Sequence, residues 1–255
     1  GKDYLNLIDS NLIVRFSRVV KFRLTQYFLG SRSRLLGKRL IINKGITYKK
    51  VGDIPLQLNV YYPRKEGLFP VIVFIHGGGW MRGSKDRAKD ERVCRIIANY
   101  GFVVFNIDYR LFPTKANAIQ EMLADVRAAI KFAKENAPAF YGDSENVFLV
   151  GRSAGAHLAL LSAFTQNGPF FASEFGEYTQ KDLEVAGVIA FYPPTNLEAL
   201  YDFYKLLAPK IAMRLILGGR PEEKRELYQL LSPISYLNEF NGTNIPPVFL
   251  ATGLN

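Results

Sequence analysis

The residues best suited to chemistry lie in the stretch Phe148-Leu149-Val150-Gly151-Arg152-Ser153-Ala154-Gly155-Ala156-His157-Leu158-Ala159. Gly151 to Gly155 form a G-x-S-x-G pattern between an apolar run, Val147 to Val150, and an apolar helical stretch, Ala154 to Phe164. A sharp strand-to-helix reversal leaves no room for a side chain two positions before or after the serine, so both places need glycine. A hydroxyl lifted out of the chain in this way, beside the first free N–H groups of a helix, is placed to attack a carbonyl carbon. The competing reading is a glycine-bounded turn in which Ser153 only caps the helix.

A second stretch, Pro70-Val71-Ile72-Val73-Phe74-Ile75-His76-Gly77-Gly78-Gly79-Trp80, runs an apolar strand directly into His-Gly-Gly-Gly. Successive glycines let the backbone approach a reacting group and aim amide N–H groups at it. With the N–H of Ala154, this loop suits a developing oxyanion. A phosphate-cradling loop is the rival. Gly77, Gly79 and Gly83 are spaced G-x-G-x-x-x-G, one residue off the dinucleotide fingerprint, and no acidic residue closes a following strand as that fold requires.

With H-G-G-G-W at 76–80, D-Y-R-L-F-P at 108–113 and G-R-S-A-G at 151–155, residues 46–255 resemble the α/β-hydrolase superfamily, and within it the carboxylesterases related to hormone-sensitive lipase. The resemblance implies an α/β fold with a mostly parallel central sheet and helices on both faces. It implies hydrolysis of small or medium carboxylic esters through an acyl-serine intermediate, with Ser153 as nucleophile. Gly78, Gly79 and Ala154 would supply the oxyanion-hole N–H groups, Gly77 would be a further participant, and His76 would shape the loop. No organic cofactor is implied, and no His/Cys/Asp cluster has metal-ligand spacing. Two other functions stay open: a non-catalytic hydrolase-like module that binds an apolar ligand, a membrane or a partner, and an amidase or peptidase on the same scaffold.

The elements that must position these motifs follow in order. Ile46 to Val51 and Pro55 to Tyr62 read as strands split by Gly52-Asp53, and a helix is expected around Arg87 to Asn99. Phe102 to Asp108 is a buried strand, and Ile119, Met122, Leu123, Val126 and Ile130 mark a core-facing helix. Val185 to Tyr192 and Pro246 to Thr252 are further strands. Between them lie helical patterns from Glu198 to Leu231, with Tyr201, Phe203 and Tyr204 as apolar lid candidates. Gly168 to Tyr178 reads as an aromatic loop, lining an acyl pocket or packing on the surface. Asn196 stands near a position where relatives carry aspartate, a departure read as structural. Strands alternating with helices mean a largely parallel sheet covered on both sides.

The 255 residues, 48% of them apolar, suffice for one sizeable domain. Cys94 is the single cysteine, which excludes an intrachain disulfide and suits a reducing, cytoplasmic setting. The net charge of +10 suggests nucleic acid only until it is located. Residues 1–50 hold 12 of the 33 Lys/Arg and 2 of the 23 Asp/Glu, so the rest is neutral and nucleic acid is set aside. Most of the excess lies in a leader, residues 1–45, with Lys49 and Lys50 supplying the remainder. There Leu12, Phe16, Val19, Val20, Leu24, Tyr27 and Phe28 share one helical face, while Arg15, Arg18, Lys21 and Arg23 interrupt any membrane span. Residues 11–29 are expected to cap the hydrolase body, with peripheral membrane contact as the alternative.

A serine nucleophile needs a base, usually histidine held by a carboxylate. His76 and His157 are the only histidines. Neither matches the family's chain order of serine, acid, histidine, and Asp108, Asp125 and Asp143 all precede the serine. The resemblance places the acid three residues after Gly253, past Asn255. The hydrolase domain, 46–255, is therefore expected to be C-terminally incomplete, without its last strand and helix, and to turn over ester poorly by itself.

Overall fold

The structure, a computed structural model, describes residues 40–113, 118–166, 178–237 and 245–252. Strands β1 (Leu40–Val51), β2 (Ile54–Pro63), β3 (Phe69–Ile75), β4 (Val103–Ile107), β5 (Gly142–Arg152), β6 (Gly187–Phe191) and β7 (Val248–Ala251) form one sheet in the order β1-β2-β4-β3-β5-β6-β7. The β1–β2 and β2–β4 pairs are antiparallel, and β4, β3, β5, β6 and β7 run parallel. The helices are α1 (Ala88–Asn99), α2 (Ala118–Asn136), α3 (Ala154–Phe164), α4 (Gln180–Leu183), α5 (Leu197–Phe203), α6 (Leu207–Leu217) and α7 (Arg225–Leu230).

The apolar run of β3 is explained by burial on both faces. Val71, Val73 and Ile75 join one core with Ile119, Met122 and Ile130 of α2 and Leu158 and Leu161 of α3. Ile72 and Phe74 point the other way, to Cys94 and Ala98 of α1. A strand covered on both sides has no polar face to show, so its sequence does not alternate. Helix α3 follows the same logic: every residue from Ala154 to Phe164 is buried, and the helix is apolar all round. Burying Leu158, Leu160, Leu161 and Phe164 contributes about 1.5 to 3 kcal/mol each before ordering costs and fixes α3 against the sheet.

Strand onsets differ from the sequence reading. β1 begins at Leu40 instead of Ile46, because the polar Asn43-Lys44 interruption is a bulge: the register shifts between Asn43 and Ile46, and Gly45 takes φ 71. Residues 40–45 thus belong to the sheet. β5 begins at Gly142 instead of Val147, so Asp143 is a strand residue, its carboxylate accepting from Glu145 N at 3.0 Å. Of the lid candidates, Tyr201 is buried, Tyr204 packs partly against the core and Phe203 is 72% exposed. The readings on residues 1–39, 167–177 and 253–255 lie outside the described residues. Among the described residues no helix is long and apolar enough to cross a membrane.

Candidate active site

β3 and β5 are neighbours with Ile75 opposite Gly151, so the two motif loops leave the sheet side by side at its carboxyl edge. Both glycines flanking the serine are required, for different reasons. A Cβ on Gly151 would overlap Gly155 O, and one on Gly155 would overlap the carbonyls of Ile75 and His76. Ser153 itself sits at φ 52, ψ −122, a conformation that costs a non-glycine residue about 1 to 3 kcal/mol. It is held there by Ser153 N donating to Phe191 O at 2.9 Å and His157 N donating to Ser153 O at 3.0 Å. The side chain makes no helix-capping bond, which removes the capping reading.

The glycine loop lies directly on this serine. A Cβ on Gly77 would overlap Arg152 O and stand 3.2 Å from Ser153 Cβ. Gly78 and Gly79 have φ 151 and 61, and Gly78 O accepts from Met81 N at 3.3 Å and Arg82 N at 3.2 Å. This tight turn uses the loop's carbonyl. Among the described residues no loop or turn hydrogen bond consumes the N–H of Gly78, Gly79 or Ala154, and Ala154 is a first-turn helix donor with no partner within its helix. Uncommitted main-chain N–H groups on two adjacent loops are the donor type that a developing oxyanion requires.

His76 is buried and stacked on Tyr109, with ring centroids 4.4 Å apart, and Tyr109 Oη donates to His76 O at 2.9 Å. Its Nδ1 lies 3.2 Å from Gly77 O, and burial lowers its pKa. The side chain is a prop under the loop. The D-Y-R motif thereby acquires roles. Tyr109 carries His76, and Asp108 accepts from Lys85 N at 2.7 Å, fastening the chain that returns from the glycine turn. Arg110 Nε pairs with the buried Asp125 at 2.8 Å, and Lys49 Nζ reaches the same carboxylate at 2.7 Å. Asp108 and Asp125 are both engaged in structure.

His157 is likewise committed. Its Nε2–H donates to Leu231 O at 2.8 Å and its Nδ1 accepts from Trp80 Nε1 at 3.3 Å, which fixes one neutral tautomer. Complete burial pushes its pKa down to about 4 from the usual 6.5, although the Leu231 carbonyl favours the proton. As the folded value is depressed, the unfolded chain binds this proton first on acidification. His157 therefore favours folding fully above about pH 6.5, and that contribution falls away as the pH drops from 6.5 to about 4. The expected loss is up to about 3 kcal/mol. Urea unfolding at pH 7.0 and 4.5 checks this: His157→Gln should flatten the pH slope relative to the wild type, and equal slopes would contradict it.

Asn196 caps α5, its Oδ1 accepting from Ala199 N at 3.0 Å. Sequence reasoning missed Tyr109, Trp80 and Arg152 as supports. All three stand within the motifs, but their partners are distant in sequence: 33 residues for Tyr109 and His76, 77 for Trp80 and His157, and 62 for Arg152 and Asp90.

Residues 58–255 match the BD-FAE family. The chain belongs to the BD-FAE family. This BD-FAE chain is similar to esterase LipC of Mycobacterium tuberculosis, 28% identical over 225 residues that cover 85% of the chain and 51% of LipC. It is 33% identical over 168 residues to the isoprenylcysteine alpha-carbonyl methylesterase ICME of Arabidopsis thaliana, covering 65% of the chain and 36% of that protein. It thus spans about half or less of these curated relatives. An inhibited esterase B from Lactobacillus rhamnosis superposes with a TM-score of 0.70 at 23% identity, covering 94% of this chain and 75% of that one. The BD-FAE chain therefore has the α/β-hydrolase fold, as its motifs imply.

Proposed function

We propose that this protein is a carboxylesterase-type serine hydrolase acting on small or medium carboxylic esters. The observation that carries the reading is the strained Ser153 at the tip of a strand-turn-helix, with Gly77 packed onto its Cβ and helix α3 starting at Ala154. In this mechanism Ser153 Oγ attacks the ester carbonyl carbon while its proton passes to a general base. The carbonyl oxygen becomes an oxyanion held by those N–H groups. The tetrahedral adduct then collapses, the alkoxide leaves with the proton from the base, and water releases the acid from the acyl-serine by the reverse steps. Neither His76 nor His157 is that base on this reading: both rings are buried, His157 with both nitrogens bonded and His76 stacked on Tyr109 with Nδ1 against Gly77 O. The engagement of both histidines also supports a second reading, a hydrolase-like module that binds without turnover.

Residues 40–255 form the catalytic unit on this reading, β1 starting at Leu40, and the residues before it a basic leader. Its apolar face at 11–29 packs on that unit, and the interleaved Arg15, Arg18, Lys21 and Arg23 support a peripheral membrane contact as the alternative. The deciding experiment for the catalytic reading is treatment with a fluorophosphonate alongside p-nitrophenyl acetate hydrolysis. The expected result is one adduct per chain, located by mass spectrometry on Ser153, with loss of turnover in step with labelling. A protein that is neither labelled nor active is a binding module.

A further inference from the structure

Two charged side chains that the ester chemistry does not use meet beneath the site. Asp90, in the first turn of α1, is completely buried, and its Oδ1 accepts from the guanidinium of Arg152 at 2.5 Å. Arg152 is the residue before Ser153, and its own carbonyl is the atom that forbids a side chain on Gly77. One residue therefore touches three parts of the site: its side chain is held by α1, its carbonyl supports the glycine loop, and its peptide bond leads into the strained serine. Helix α1 is also the element that the glycine loop enters, through the turn in which Arg87 O accepts from Asp90 N at 2.8 Å and Glu91 N at 2.9 Å.

An ion pair here is not explained by stability. An apolar pair of similar volume is often as stable as a buried salt bridge, because desolvation offsets the attraction. What a buried pair does supply is a fixed distance, since Asp90 without its partner is strongly disfavoured. Such a fixed distance is useful at this point. Ser153 occupies a backbone conformation it would not choose, and the bonds to Phe191 O and from His157 N restrain only its main chain. We propose that Asp90 and Arg152 are positioning residues for acyl transfer, their ion pair setting the spacing between Ser153 and the N–H groups of the glycine loop. Losing the pair then slows the chemical step and leaves ester binding nearly unchanged.

The proposal rests on the serine hydrolase reading, and its test separates the two. Wild type, Asp90→Asn, Arg152→Lys and the double variant Asp90→Asn/Arg152→Gln are compared in the full-length protein for thermal melting, kcat and KM on p-nitrophenyl acetate, and rate of phosphonylation. Asp90→Asn leaves an unpaired guanidinium and is the variant most prone to misfold; the double variant removes both charges and keeps the test open. Expected are a kcat and a phosphonylation rate lowered ten- to a hundredfold in the double variant, with KM within about threefold of wild type. The double variant should be no worse than Asp90→Asn, as for two groups acting as one unit. Arg152→Lys, which keeps the charge and one bond, should fall between. A cooperatively melting double variant with wild-type kcat and labelling rate overturns the proposal, even if its melting point is lower. A wild type that is neither labelled nor active overturns the hydrolase reading and this one with it.

Discussion

In the full-length protein, Ser153→Ala is expected to lower kcat/KM for p-nitrophenyl acetate by about 10⁴-fold or more, with KM little changed and the melting temperature the same or slightly higher. The hydroxyl is the only group in the motif able to form the acyl bond, so its loss leaves oxyanion stabilisation and positioning alone. Those cannot split the reaction into two easier steps. KM should hold because Gly78, Gly79 and Ala154 remain in place. Stability should hold because the serine side chain makes no capping bond and only its main chain is anchored, to Phe191 O and by His157 N. Steady-state kinetics with a matched melt checks both halves. A variant within tenfold of the wild type would move the nucleophile elsewhere.

Gly155→Ala should be a severely damaging single-methyl change. Its Cβ would overlap two main-chain oxygens, Ile75 O and His76 O, at the end of the central strand β3. A flexible side chain swings aside at little cost; a carbonyl in a paired strand does not. Either α3 retreats or the His76–Gly79 loop lifts, and both open the gap between Ser153 and its oxyanion donors. The expected cost is about 1 to 3 kcal/mol in unfolding free energy and about 10²-fold in kcat from displacement on the order of 1 Å. Gly218→Ala is the control: at φ 73 with nothing within 4 Å, it bears only the backbone strain and should leave kcat alone. Comparable kcat losses in the two variants would mean that the contact at Gly155 is not what matters.

The sequence made the site legible where chemistry dictates residue type locally. Glycine at 151 and 155, three glycines after a strand, and an apolar run on either side all follow from a turn with no room for side chains, and α3 spans the expected Ala154–Phe164. The fold class was legible for a similar reason, since two-sided burial erases alternation in β3 and β4. Contacts between distant residues were not legible. Nothing local marks Asp90 as the partner of Arg152 across 62 residues, or Leu231 as the acceptor for His157 across 74. The onsets of β1 and β5 were missed because polar residues at a bulge or a strand end look like loop until a neighbouring strand claims their N–H groups.

The His157–Leu231 bond also has a meaning for the order in which the molecule is made. A ribosome adding roughly 5 to 20 residues per second delivers Leu231 several seconds after His157, because 74 residues separate them. Through that interval the helix behind the nucleophile carries an imidazole N–H whose native acceptor does not yet exist, and dry burial of that group is costly. The first half of the sheet can assemble as it emerges, but the elbow cannot be sealed until the chain returns across it. The strained serine is thus locked only after Leu231 has been made, well after its own segment.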